Sequence, residues 1–161
     1  MSETMLRSPL LLSATDSVLL IVDAQEKLLK SIPHAERIVW NLQRLLSGAA
    51  VLGVPSLATE QYPQGLGRTD AALLPYLAEP PLEGKIPSKM SFSCAGCAEC
   101  LDALQSLGRR QVVIGGLETH VCVLQTSFDL LTAGFDVYLC VNALGTRFPV
   151  DHQTALRRLE A

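Results

Sequence analysis

Residues 18–23 read Val-Leu-Leu-Ile-Val-Asp, an apolar run with no polar residue until the acid that ends it. A strand that is apolar on both faces must be covered on both, which marks a buried parallel strand. Residues 111–115 (Gln-Val-Val-Ile-Gly) and 136–141 (Asp-Val-Tyr-Leu-Cys-Val) read as strands too. Residues 54–59 read as another, with Pro55 at its start, where a missing N–H is tolerated. Between them lie helical patterns. Residues 34–52 place Ile38, Leu42, Leu45, Leu46 and Ala49 on one face, and Gly53 closes the run. Residues 97–107 stop at Gly108, residues 121–133 stop at Gly134, and a last helix starts near Val150. Residues 62–84, rich in Pro and Gly, read mostly as loop, with a short helix at 73–77 and a short strand at 84–88. This alternation predicts an α/β fold, a mainly parallel sheet with helices on both faces.

No repeat, low-complexity tract or linker divides the 161 residues, so a single domain spanning 1–161 is expected. Hydrophobic residues at 48% and charged residues at 18% fit a compact fold rather than disorder. A net charge of −3 with scattered Lys and Arg excludes a basic patch, so no nucleic-acid partner is expected. No apolar run approaches the roughly 20 residues that span a bilayer, so no membrane partner is expected either. Residues 1–8 hold one acid and one base and lack the positive start of a secretory signal. Five cysteines, an odd number, do not form a disulfide framework, and a cytoplasmic location is expected.

In such folds, sites lie at the C-terminal ends of strands, where strand order switches. Asp23, Thr59, Lys89 and the turn Gly115-Gly116-Leu117-Glu118-Thr119-His120-Val121-Cys122 all fall there. The last reads strand, Gly-bearing turn, cysteine, helix. Cys122 would sit where helix N–H groups lack partners and the dipole is positive, both of which favour the thiolate. The thiol is therefore expected to titrate below the free value of about 8.5. Asp23 can take its proton and return it to a leaving group, and Lys89 stabilises both charges. The thiolate can attack an electrophilic carbon, and N–H groups of the turn can hold the oxyanion. Each residue also has a plain structural reading. A free cysteine is often a small buried hydrophobe, an Asp after a strand a turn former, and a loop lysine a solvated charge.

Five stretches together give a specific resemblance: Val22-Asp23-Ala24-Gln25, residues 58–67 (Ala-Thr-Glu-Gln-Tyr-Pro-Gln-Gly-Leu-Gly), Lys89-Met90-Ser91-Phe92-Ser93, residues 116–126, and Asn142-Ala143-Leu144-Gly145-Thr146-Arg147. Over nearly its whole length the chain resembles the isochorismatase-like cysteine hydrolases, which include nicotinamidases and N-carbamoylsarcosine amidohydrolases. Residues 59–67 resemble the isochorismatase domain-containing and YcaC-like branch. The resemblance implies a three-layer, Rossmann-like sheet of five to six strands and homo-oligomeric assembly. It maps an Asp-Lys-Cys triad onto Asp23, Lys89 and Cys122. It also implies a cis peptide at Leu117–Glu118, with the Glu118 and Cys122 N–H groups as oxyanion hole. Gln25, Tyr62, Phe92 and Thr119 are expected to face the substrate pocket.

The chain departs from the pattern in two ways. Metal-dependent nicotinamidases place an Asp and two His after the second strand; this chain has Glu60-Gln61-Tyr62 and no histidine between His34 and His120. No catalytic metal and no cofactor are therefore expected. Family domains also run on to a further strand, which residues 1–161 are expected to lack. The implied function is a metal-independent hydrolase cleaving a small amide-like C–N substrate through a thioester. Because isochorismate hydrolases of the superfamily generally lack this cysteine, enol-ether hydrolysis is the alternative, and a non-enzymatic scaffold with a remnant triad is a third reading.

Cys94, Cys97 and Cys100 have C-x-x-C-x-x-C spacing, but no fourth ligand is nearby and i, i+3 positions simply share a helix face. His120, two residues before Cys122, is expected to point to a different side, in a structural or pocket-edge role. Arg147 is expected to anchor a turn or an interface.

Overall fold

The computed structural model describes residues 8–78, 81 and 84–161. The reading of residues 1–8 lies, for residues 1–7, outside them, as do positions 79, 80, 82 and 83 of the loop after residue 62. In chain order the elements are β1 (Ser17–Val22), α1 (Glu26–Leu29), α2 (Ala35–Val51), β2 (Ser56–Gln61), α3 (Pro63–Leu66), β3 (Ser88–Lys89), α4 (Ala98–Ser106), β4 (Gln111–Leu117), α5 (Leu124–Thr132), β5 (Asp136–Gly145) and α6 (Pro149–Glu160). Short 3₁₀ turns lie at Leu74–Tyr76 and Cys94–Gly96, and a π-turn at Thr119–Val123 precedes α5.

The strands pair in parallel in the order β3-β2-β1-β4-β5. The chain moves outward from β1 to β3, then returns to β1's other side for β4. That reversal puts the topological switch point between β1 and β4. Register holds Val22 beside both Thr59 and Gly116, so the ends of three strands meet at one place.

Strand alternation divides the core in two. Val18, Leu20 and Val22 face one layer with Cys100 and Leu104 of α4 and Leu130 of α5. Leu19 and Ile21 face the other, with Ile38, Leu42 and Leu46 of α2. Each fully buried leucine contributes about 1.5–3 kcal/mol of transfer free energy. Gly116 is where the sheet is tightest. Its φ is +129°, and a Cβ there would lie 2.1 Å from the Val22 carbonyl oxygen.

Several boundaries differ from the sequence reading, each for a local reason. β2 begins at Ser56, because Pro55 contributes only its carbonyl, which accepts the Leu19 N–H at 2.9 Å. The strand expected at 84–88 shrinks to Ser88–Lys89. β5 runs on to Gly145 across an irregularity opposite Ile114 and Gly116. The helix expected from residue 121 opens instead with the π-turn. Among the described residues, no helix is long and apolar enough to cross a membrane.

Candidate active site

β1 delivers Asp23 to the switch point in a left-handed conformation, φ +51°, which only a few per cent of non-glycine residues adopt. Its backbone N–H donates to the Thr59 carbonyl at 3.2 Å, and the Gln25 N–H returns to the Asp23 carbonyl at 2.7 Å. The turn thus directs the carboxylate off the strand end and into the protein, where Asp23 is fully buried. Strained residues of this kind persist where surrounding structure over-determines them.

Lys89 comes from β3. Its Nζ donates to Asp23 Oδ2 at 2.6 Å, Gln61 Oε1 at 2.9 Å and the Phe92 carbonyl at 2.9 Å. The Ser91 carbonyl lies at 3.4 Å as a fourth acceptor for its three protons. Burial is the largest single influence and pulls the lysine down, but the Asp23 carboxylate and the nearby Cys94 and Cys122 sulfurs together outweigh it and hold the ammonium above its ordinary range. The other carboxylate oxygen, Oδ1, accepts the Thr59 hydroxyl at 2.8 Å.

Cys122 lies on the π-turn after β4, almost buried, at the edge of the apolar layer beneath α5. Asp23 and Lys89 both lie close enough to Cys122 to act on its thiol electrostatically. The structure brings Asp23, Lys89 and Cys122 together. The acidity differs from the sequence expectation. Burial pushes the Cys122 thiol well up, the Asp23 carboxylate adds to that, and Lys89 opposes both without prevailing. A position at a helix start favours the thiolate, but burial and the Asp23 carboxylate outweigh it here.

The remaining expected site residues divide. Tyr62 and Phe92 are half-exposed beside Lys89: the Tyr62 N–H donates to the Lys89 carbonyl at 3.0 Å, and Phe92 supplies a carbonyl to its ammonium. Gln25 and Thr119 are not placed as pocket walls. The Gln25 amide is consumed by backbone, donating to the Gln61 carbonyl at 3.0 Å and the Gly67 carbonyl at 2.6 Å while accepting the Gln61 N–H at 2.8 Å. Thr119 is fully buried and turned toward β5 and α6, bonding the Gly145 carbonyl at 3.1 Å and His152 Nδ1 at 2.9 Å. The left-handed turn at Asp23 redirects the chain so that the Gln25 amide meets backbone groups of β2 and of the Gly67 turn.

Glu118 stands at the head of the π-turn, with its carbonyl accepting the N–H groups of Val121 and Val123 at 3.1 and 3.2 Å. His120 turns to Thr146 Oγ1 at 2.9 Å, and Arg147 Nε donates to Glu118 Oε1 at 2.9 Å.

Gln61 and Cys94 join the cluster without being singled out as site members by the sequence, whereas Thr59 falls at a strand end there. Thr59 and Gln61 hold the charged pair, and Cys94 touches the Thr59 hydroxyl at 3.4 Å. The period-two pattern of Thr59 and Gln61 in β2, on the same side and next to the strand that bears Asp23, was the available signal. Cys94 belongs to the 3₁₀ turn, not to α4, and packs in the same apolar layer as Cys97, Cys100 and Cys122. Among the described residues, no group of three or more His, Cys, Asp and Glu is arranged to hold a metal. An open cleft of about 780 Å3 beside α1 and α2, lined by Glu26, Trp40 and Asp70 among others, contains none of the triad.

A parallel sheet with a buried carboxylate–ammonium pair and a thiol near its switch point fits the isochorismatase-like class of α/β folds. The family model for the isochorismatase domain matches residues 17–161, and the chain belongs to that family. It is 39% identical to isochorismatase domain-containing protein 1 of Danio rerio over 151 residues, covering 92% of this chain and 50% of that protein. It is 37% identical to isochorismatase domain-containing protein 2 of the same fish, covering 92% and 72%. The chain thus spans half the length of the first of these relatives. Among solved structures, the MAR1 ribonuclease of Caenorhabditis elegans superposes with a TM-score of 0.83 at 36% identity, covering 92% of this chain and 74% of that one. YcaC of Pseudomonas aeruginosa, solved with hexane-2,5-diol and covalent acrylamide, gives 0.88 at 25% identity, covering 96% and 76%.

Proposed function

We propose that the chain forms a single catalytic domain, a metal-independent cysteine hydrolase that cleaves a small amide-like C–N bond through a thioester. The observation that supports this most is the thiol–carboxylate–ammonium cluster at the sheet's switch point. As Cys122 sulfur attacks the carbonyl carbon, its proton passes to Asp23. The high thiol pKa makes this coupling necessary, because little free thiolate is present near neutral pH. Lys89 holds the Asp23 carboxylate in place through their buried ion pair. The carbonyl oxygen, now an oxyanion, takes the N–H groups of Glu118 and Cys122. The C–N bond breaks as Asp23 returns the proton to nitrogen and the amine leaves. Water then attacks the thioester, giving a proton to Asp23; the C–S bond breaks, the carboxylic acid leaves, and Asp23 returns the proton to sulfur, restoring the thiol. Tyr62 and Phe92 wall the entrance.

The test is turnover on a panel of amides, ureides, esters and enol ethers. RNA is included because the C. elegans relative is named a ribonuclease. Hydrolysis of an amide or ureide that disappears in both Cys122→Ser and Asp23→Asn is the expected result. Enol-ether cleavage surviving Cys122→Ser would replace the thioester by protonation chemistry. Activity on RNA alone would move the reading to phosphodiester cleavage, and inactivity on every substrate tested, with no reagent reaching Cys122, would favour a scaffold.

We also propose self-association, supported by the exposed Val141 of β5, Phe148 just before α6, and Val150 of α6. Sedimentation of a monomer at all concentrations would refute it.

A further inference from the structure

Three consecutive side chains of the nucleophile turn reach one short segment at the end of β5 and the start of α6. Glu118, buried, receives the Thr146 hydroxyl at 2.5 Å on Oε2 and the Arg147 Nε–H at 2.9 Å on Oε1. Thr119 bonds Gly145 and His152 as described. His120 Nδ1 lies 2.9 Å from Thr146 Oγ1 and 3.5 Å from Glu118 Oε2, while its Nε2 faces Asp151 Oδ2 at 3.8 Å.

Proton counting sets the directions. Thr146 has one hydroxyl proton, and the Glu118 carboxylate, paired with Arg147, can only accept. That proton goes to Glu118, so the Thr146 oxygen accepts from His120, which carries a proton on Nδ1. The carboxylate is thereby gripped on both oxygens from outside its own turn.

Desolvating a carboxylate costs several kcal/mol, and capping a turn does not require one, since neutral side chains cap well. Glu118 has two further properties. Its carbonyl starts the turn that carries Cys122, and its own peptide N–H is one of the two oxyanion donors in the reading above. Fixing its side chain therefore fixes the plane of that peptide.

We propose that Glu118, gripped by Thr146 and Arg147, is a positioning residue that aims the oxyanion-hole N–H, so that the β5–α6 junction sets the efficiency of the chemical step without touching substrate. This rests on Cys122 being the nucleophile. Arg147 is half-exposed at the side chain, so a free guanidinium ion can reach its place.

Two thiol reagents separate the roles. With acrylamide, the Cys122 sulfur bonds to the terminal alkene carbon. The alkene electrons move onto the amide oxygen, and the thiol proton, carried by Asp23, ends on the α-carbon. With iodoacetamide, the sulfur displaces iodide at a saturated carbon and no oxyanion forms. The ratio of the two second-order rates at Cys122, measured by peptide mapping, reports the oxyanion donor apart from the nucleophile. In Arg147→Ala and Thr146→Val, acrylamide addition is expected to fall roughly tenfold and iodoacetamide displacement less than about twofold. Added guanidinium ion restores the ratio in Arg147→Ala and not in Thr146→Val. If Arg147→Ala does not fold, Arg147→Lys, which keeps the charge but loses the planar fork, shows the same change in part. An unchanged ratio in the folded variants overturns the proposal, as does a parallel fall of both rates. Failure of both reagents to modify Cys122 in the wild-type protein would remove the nucleophile assignment itself, and the proposal with it.

Discussion

Replacing Lys89 by methionine removes one half of a fully buried ion pair while nearly preserving volume. The Nζ lies 2.6 Å from Asp23 Oδ2, and neither side chain is exposed. At an effective dielectric of about 20, that separation corresponds to a gross attraction of roughly 6 kcal/mol. Part of this is recovered, because the orphaned Asp23 keeps the Thr59 hydroxyl and can take up a proton. The net loss expected for breaking a buried pair from one side is about 3–5 kcal/mol, or roughly 10 °C in Tm for a chain of this size. In the wild-type protein, Lys89 is raised above its ordinary 10.5. Its contribution is therefore complete below that pH and is lost only as pH rises through the higher folded value. In Lys89→Met, the buried Asp23 binds a proton more tightly folded than unfolded. The variant's deficit therefore shrinks as pH falls from 7 towards 5. Urea denaturation at both pH values measures this, alongside Asp23→Asn/Lys89→Met, which leaves no orphaned charge and should be more stable than Lys89→Met alone. A Lys89→Met protein within about 1 kcal/mol of wild type at pH 7 would refute the reasoning, because buried pairs broken from one side cost several times that.

Other outcomes follow from the same geometry. Asp23→Asn removes a carboxylate that raises the Cys122 pKa and leaves Lys89, which lowers it; ultraviolet thiolate titration should find a more acidic Cys122 in a protein that no longer hydrolyses substrate. Gly116→Ala forces a Cβ to within 2.1 Å of the Val22 carbonyl oxygen at a φ of +129°, so it should cost at least about 3 kcal/mol in chemical denaturation. Leu42→Ala, on the buried face of α2 in the layer opposite Cys122, should cost about 2–5 kcal/mol in the same assay while leaving the rate of Cys122 modification by acrylamide unchanged.

The parallel sheet was legible because strands buried on both faces cannot alternate, and residues 18–22 show that directly. The helix of residues 35–51 was legible from its apolar stripe and the Gly53 stop. Short elements were not: Glu26–Leu29, Pro63–Leu66 and the 3₁₀ turn at Cys94–Gly96 are too brief for periodicity to register. Asp23, Lys89 and Cys122 could be singled out because a carboxylate, an amine and a thiol each fell at a strand end. Their mutual electrostatics could not be read, since whether Lys89 or Asp23 dominates the thiol depends on distances and burial. Gln25 went astray for a backbone reason, the left-handed turn at Asp23. Thr119 went astray because its partners, Gly145 and His152, lie 26 and 33 residues further along the chain.

The thiol's role in catalysis is tested most directly by acid-quenched intact-mass measurement during turnover of whichever amide or ureide the panel finds. The expected result is a transient mass increase equal to the acyl half of the substrate, localised to Cys122 and absent from Cys122→Ser. Turnover at full rate with no acyl mass on that cysteine at any quench time, and undiminished in Cys122→Ser, would contradict covalent catalysis at this site.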